Sequence, residues 1–281
     1  MLNQKVIAIG AVGGSGTRAV AKIFMDAGVF MGDDLNASND ELTFTRLFKN
    51  PDWYNNATKP EVKKRLRIFE RHMTGIPLTL SERKEFQKAA ETNNLYFSDE
   101  KYIADILFSA KGFFQKKRAV WGWKEPNTQI FIEDIAEYFP NLKYIHVLRH
   151  GLDMAFSRNR QQVNNWGERF NIVIGENDTD DQIATKQLDY WIKSNTSTIN
   201  RGKKLLGENF YVLYLQELSA NPKEEIERLL KFAGVKCDQD LISKLKEIPQ
   251  KNNSDGRYKN ENTSIFSDEQ KEAVEKLGFH I

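Results

Sequence analysis

Two groups of residues in this 281-residue chain have the types and spacing to hold phosphate-like anions. The first is Gly13-Gly14-Ser15-Gly16-Thr17-Arg18, which follows an apolar run and opens a helical pattern. A strand that turns through glycines into a helix points backbone N–H groups at an anion, and the helix dipole adds to the attraction. Gly13, Gly14 and Gly16 permit close backbone approach, while Ser15 and Thr17 bring hydroxyl donors. A nucleoside-triphosphate loop of the GxxxxGK[ST] type needs a Lys after its last glycine. Here Thr17 and Arg18 follow Gly16, so the loop suits one phosphate-sized group rather than a magnesium triphosphate. The second group is Arg149 with Ser157 eight residues later. Arg grips a phosphate through two parallel N–H donors and Ser adds a hydroxyl. On its own, this pair reads as an ordinary surface ion pair.

The elements that would position these residues alternate between strand and helix. Val6–Ile9 is a short β-branched run that suits a parallel strand covered on both faces. Thr17–Ala27 reads as a helix with Val20, Ile23, Phe24 and Ala27 on one face and Gly28 as its stop. Ala119–Trp123, Lys143–Leu148 and Phe210–Leu215 repeat the strand signal. Helical patterns cover Gln129–Tyr138, Gly151–Asn159, Asp181–Leu206, Pro222–Ala233 and Ser267–Leu277. This rhythm predicts an α/β fold, with a mostly parallel central sheet flanked by helices. Arg149 then stands at the carboxyl end of a strand, the edge where open α/β sheets bind ligands. Residues 41–117 break the rhythm, with helical patterns at Glu61–His72 and Ser81–Thr92 and no convincing strand. They read as a helical insertion covering the site, in a single domain over 1–281. The charge runs KKRLR (63–67) and KKR (116–118) read as solvated faces, with an acidic-substrate patch as the other option. Pro249–Thr263 is polar and turn-rich, a surface loop or flap.

Composition narrows the class. With 41 Lys plus Arg against 39 Asp plus Glu, the net charge of +2 argues against a nucleic-acid coat. The one cysteine, Cys237, excludes an internal disulfide and a Cys-rich zinc site, and reads as a small, partly buried side chain. No apolar run reaches the roughly 20 residues of a spanning helix. The apolar N-terminus is too brief for a signal peptide and leads into the glycine loop, so a cytoplasmic address without membrane partners is expected.

Together these segments resemble the sulfotransferases that use 3′-phosphoadenosine-5′-phosphosulfate (PAPS). Gly13–Arg18 is similar to the family's SGT loop for the 5′-phosphosulfate, and Arg149 with Ser157 to its 3′-phosphate pair. WKEPNTQIFIEDIAEYFPNLKYIHVLRHG (123–151) resembles its Lys-x-Pro element, and YVLYLQELSANPKEEIERLLKFAGV (211–235) its last strand and helix. The resemblance spans about 6–39 and 121–235 and implies a P-loop-like fold with PAPS as donor, no metal and adenosine 3′,5′-bisphosphate as product. It gives Lys124 the bridging oxygen of the departing nucleotide, where a cation stabilises developing charge, with Thr17 as helper.

The general base is less direct. The family's cytosolic members use a His two residues after the Lys, where this chain has Pro126. Lys-x-Pro members, such as the tyrosylprotein sulfotransferases, use a carboxylate after the first helix, where MGDDLN offers Asp33 and Asp34. Their alternative is a capped loop. Glu125 and His150 are the fallbacks, and His146, inside a strand, reads as structural. The cytosolic Arg-Lys-Gly flap is missing, but Arg257 in SDGRYK (254–259) stands where it would reach a phosphate. Trp121 and Trp123 either stack on adenine or belong to the core. The sequence does not name the acceptor, a glycan or small metabolite being favoured, or the oligomeric state. The rival readings are a nucleotide-dependent kinase and a non-catalytic nucleotide-binding domain.

Overall fold

The apolar runs form four strands in a computed structural model that describes residues 4–92, 120–249 and 254–281. They are β1 (Lys5–Ala11), β2 (Val120–Lys124), β3 (Leu142–Leu148) and β4 (Phe210–Tyr214). The helices are α1 (Thr17–Asp26), α2 (Leu42–Phe48), α3 (Pro51–Asn56), α4 (Lys59–Thr74), α5 (Leu80–Thr92), α6 (Ile132–Tyr138) and α7 (Gly151–Ala155). They continue with α8 (Gln161–Trp166), α9 (Asp180–Leu206), α10 (Leu215–Ala220), α11 (Pro222–Ala233), α12 (Gln239–Leu245) and α13 (Asp268–Lys276).

The strands run in the order β2-β1-β3-β4, and every neighbouring pair is parallel. Side-chain alternation feeds two cores. Val6, Ala8, Trp121, Trp123 and Tyr144 join one. Ile7, Ile9, Ala11, Ile145, Val147 and Leu213 join the other, with Phe24 of α1 and Leu229 of α11. Burying each Val, Ile, Leu or Phe among them contributes about 1.5–3 kcal/mol. The chain leaves β1 toward β2 but leaves β3 toward β4 on the other side. The loops after β1 and β3 therefore diverge, and a crevice opens at the carboxyl ends of the two strands.

The first part of the insertion, α2 to α5, is seated on β2 by aromatic rings. Trp123 lies 5.5 Å from Phe44 and 5.1 Å from Phe69, centroid to centroid. Trp121 and Trp123 are fully buried in this packing, so they are core residues and not an adenine platform. The remainder of the insertion, with the KKR run at 116–118, lies outside the described residues, as do residues 250–253 of the C-terminal loop. Cys237 is exposed, contrary to its expected partial burial. Residues 239–245 form a helix that apolar periodicity did not reveal, started by Asp238, which accepts a hydrogen bond from the Leu241 amide at 2.8 Å. Among the described residues no helix is long and apolar enough to cross a membrane.

Candidate active site

The glycine loop builds the floor of the site. Gly14 (φ 94°) and Gly16 (φ 79°) occupy the left-handed region that side chains disfavour. Gly16 also abuts Leu215, whose Cδ1 would lie 2.6 Å from an added Cβ. Gly16 caps α1 without any side-chain hydrogen bond, so the first-turn N–H groups of α1 receive no side-chain cap. That is the condition under which a helix N-terminus takes an anion. Ser15 is buried and donates its hydroxyl to Val12 O at 2.6 Å, so it shapes the loop instead of offering the expected donor. Gln162 braces the same turn by donating to Ala11 O at 3.1 Å.

A cleft of about 290 Å³ opens over this loop. Gly13, Gly14, Gly16, Thr17 and Arg18 line it together with Lys124, Glu125, Asn127, Asp40 and Lys49. Lys124 ends β2 and is almost wholly buried. Its ammonium donates to Ser38 O at 2.6 Å and is ion-paired with Asp40. Burial pushes the Lys124 pKa down, and the Asp40 and Glu125 charges oppose that shift. An Asn36 turn places Asp40. The Asn36 carboxamide accepts from the amides of Ser38 and Asp40 at 2.8 and 2.9 Å and donates to the Asp40 carboxylate at 2.8 Å. Glu41 fixes the end of this loop, its amide donating to Lys124 O at 2.8 Å and its carboxylate capping α2.

The acidic pair expected to act as base sits elsewhere. Asp34 is ion-paired with buried Arg46, and Asp33 lies 3.4 Å from His72. Neither lines the cleft. Asp40 and Lys49 do, and sequence reasoning missed both. The one local signal was an Asn followed four residues later by an Asp, which supports a side-chain turn.

Glu125 occupies the cleft wall beside Lys124 and is 2% exposed. Trp166 donates its indole N–H to Asn127 Oδ1 at 2.8 Å. Indole nitrogen only donates, so the Asn127 Nδ2 must face the other way. It donates to Glu125 Oε1 at 2.7 Å. Glu125 Oε2 is buried and has no hydrogen-bond partner among the described residues. Burial, aided by Asp40, raises the Glu125 carboxyl to about 7, against the opposing effects of Lys49, Asn127 and Lys124.

Arg149 forms an adjoining cluster. It follows β3, is 3% exposed and donates to Gly14 O at 3.2 Å. It also donates to Ser254 O at 2.5 Å and Ser254 Oγ at 2.8 Å, and pairs with Asp255 at 2.9 Å. Its Nε is buried without a hydrogen-bond partner among the described residues. Arg257 reaches the same corner, donating to Ser254 O at 3.3 Å and to Phe156 O at 3.4 Å. Ser157 stands in the turn after α7, not on the helix expected to run to Asn159, and its hydroxyl accepts from the Asn159 amide at 3.2 Å. Arg149, Ser157 and Arg257 do not line the cleft itself, and Gly14 is the link between the two clusters.

His146 and His150 are engaged away from the cleft. His146 Nε2 meets Asn195 Oδ1 at 2.9 Å, and burial lowers its pKa to about 4. His150 caps α7 and meets His280 O at 2.9 Å. Among the described residues no group of three or more His, Cys, Asp or Glu is placed to hold a metal ion.

Comparison with known proteins fits this geometry. Two solved structures share the fold over the full length of the chain. The sulfotransferase domain from the curacin biosynthetic pathway matches with a TM-score of 0.52 at 14% identity, covering 100% of this chain and 99% of that one. The sulfotransferase domain of the Synechococcus PCC 7002 olefin synthase matches with a TM-score of 0.50 at 13% identity, covering 100% and 97%. No curated protein matches the chain. A sequence model described as "Sulfotransferase family" matches residues 7–239, which hold most of the described sheet, the glycine loop and Arg149, so the chain belongs to the sulfotransferase family.

Proposed function

We propose that the protein transfers a sulfuryl group from PAPS to a hydroxyl or amine of an acceptor, a glycan or small metabolite. The observation that carries this reading is a cleft lined by both Lys124 and the glycine loop at the N-terminus of α1, whose Gly16 cap brings no side-chain hydrogen bond. The residues suit the donor. The loop amides and Thr17 would hold the 5′-phosphosulfate. Arg149, whose Nε has no hydrogen-bond partner among the described residues, would hold the 3′-phosphate with Ser157 and Arg257. When bound, PAPS supplies an activated sulfuryl group on a phosphate leaving group. Lys124 stabilises the charge that develops on the bridging oxygen, an effect commonly worth 10²–10³-fold in rate. Before the donor arrives, Asp40 holds that ammonium in place. The aromatic seat of α2 to α5 on β2 keeps Lys49 at the cleft, and the loop just before α2 brings Asp40 there. The kinase alternative lacks the Lys that a triphosphate loop requires.

Incubation with sulfur-labelled PAPS and panels of hydroxyl and amine acceptors tests the reading. Label transferred with equal release of adenosine 3′,5′-bisphosphate is the expected result. Phosphoryl transfer from ATP, with no use of PAPS, would replace it with the kinase reading.

A further inference from the structure

Transfer to a hydroxyl or amine needs a group that takes the acceptor's proton, and the acidic side chains around Lys124 differ in their fitness for it. Asp33 and Asp34 are turned to His72 and Arg46, outside the cleft. The carboxylate of Asp40 is held by the Lys124 ammonium and by the Asn36 amide. Each of its two oxygens is already taken, one by Lys124 and the other by Asn36. Glu125 has one oxygen fixed through Asn127 and Trp166, and a second oxygen with no partner among the described residues. It lines the same cleft as Lys124, one residue further along the chain.

Resting on the sulfuryl-transfer reading above, we propose that Glu125 is the proton acceptor of the reaction. The acceptor's O–H or N–H bond breaks toward Oε2 while its oxygen or nitrogen bonds to sulfur. The bond between sulfur and the bridging oxygen breaks, and its electron pair stays on the 5′-phosphate beside Lys124. The carboxylic acid then returns its proton to solvent once the products leave. The rigid chain from Trp166 through Asn127 keeps the carboxylate in one rotamer, which positions the reacting oxygen before the acceptor arrives.

Among the described residues, the charged and titratable groups that act on Glu125 are Lys124 at the end of β2, Lys49 after α2, Asp40 on the loop before α2 and Tyr144 on β3. Burial dominates their combined effect and holds the carboxyl near neutrality, where a general base works best. Activity should therefore rise with pH through about 7 and level off above it.

The test compares the parent with Glu125→Gln and Glu125→Asp between pH 5.5 and 9. Turnover is read as release of adenosine 3′,5′-bisphosphate from PAPS, with water and simple alcohols, phenols and amines as acceptor probes. Calorimetry with adenosine 3′,5′-bisphosphate runs alongside. Glu125→Gln should lose about 10²–10⁴-fold in rate, keep nucleotide affinity within about threefold and lose the pH limb, while Glu125→Asp recovers part of the rate. Infrared difference spectra of the parent against Glu125→Gln should show a protonated carboxyl at pH 6 that vanishes by pH 8, whichever acceptor is used. A Glu125→Gln enzyme as active as the parent, or one with the same pH limb, would overturn the assignment, as would the lack of that carboxyl band. A parent that binds no bisphosphate would instead overturn the sulfuryl-transfer reading itself.

Discussion

Lys124 and Glu125 are sequence neighbours whose charges burial opposes, and the site uses the consequences in opposite ways. Lys124 keeps its charge through Asp40, so its ammonium is ready for a negative group. Lys124→Ala should lower turnover by about 10²–10³-fold, with a smaller effect on affinity for adenosine 3′,5′-bisphosphate. Rate and calorimetric titration together separate the two effects. Glu125 and Glu41 hold their protons to about pH 7, whereas the ordinary value is 4.5. Between those values the folded chain binds more protons than the unfolded chain, so these groups make stability fall as pH rises from 4.5 to about 7. Glu125→Gln removes one contribution. Its melting temperature should exceed the parent's at pH 8, by a gain of at most about 3 kcal/mol, and the difference should vanish near pH 5. An equal difference at both values would contradict the buried, protonated carboxyl. The place of Lys124 at the end of β2 was legible in the sequence because a short apolar strand runs into it. Asp40 was not, because its place depends on the Asn36 turn and on contacts across the fold. Asp33 and Asp34 held the expected positions in the chain, but Arg46 and His72 claim them in three dimensions.

At the scale of elements, the glycine loop and the C-terminal segment set the two ends of the site. Gly16→Ala would place a side chain at φ 79° and 2.6 Å from Leu215. The backbone strain alone costs on the order of 1–3 kcal/mol, and nucleotide affinity should fall with it, as melting and calorimetry would show. Asp153 ties the C-terminal segment down, accepting from the amides of Gly256 at 2.9 Å and Tyr258 at 3.3 Å. Asp153→Ala should speed hydrogen exchange at those two amides and weaken preference for nucleotides carrying a 3′-phosphate. Unchanged exchange would show that other contacts hold the segment. The four strands were legible because apolar, β-branched runs that short fit only a sheet covered on both faces. The early end of α7 was not. Gln187 of α9 donates to the carbonyls of Ala155 and Ser157 at 2.6 and 3.1 Å, a distant side chain ending a helix whose local pattern continues.

Across the whole molecule, strand order decides where chemistry is possible. The crevice between the ends of β1 and β3 receives the glycine loop from one side and Arg149 from the other. The insertion, packed on β2, brings Lys49 to the cleft, and the loop just before it brings Asp40. The bond from Arg149 to Gly14 O joins the two clusters, so one ligand with phosphates at both ends would span them. Arg149→Ala removes that link and the contacts to Ser254 and Asp255. The most direct measurement of the donor assignment is calorimetric titration with adenosine 3′,5′-bisphosphate, with AMP and magnesium ATP in parallel. The account predicts binding at least tenfold tighter than AMP, and loss of that preference in Arg149→Ala. Equal affinity for the bisphosphate and AMP, or preference for magnesium ATP, would contradict it.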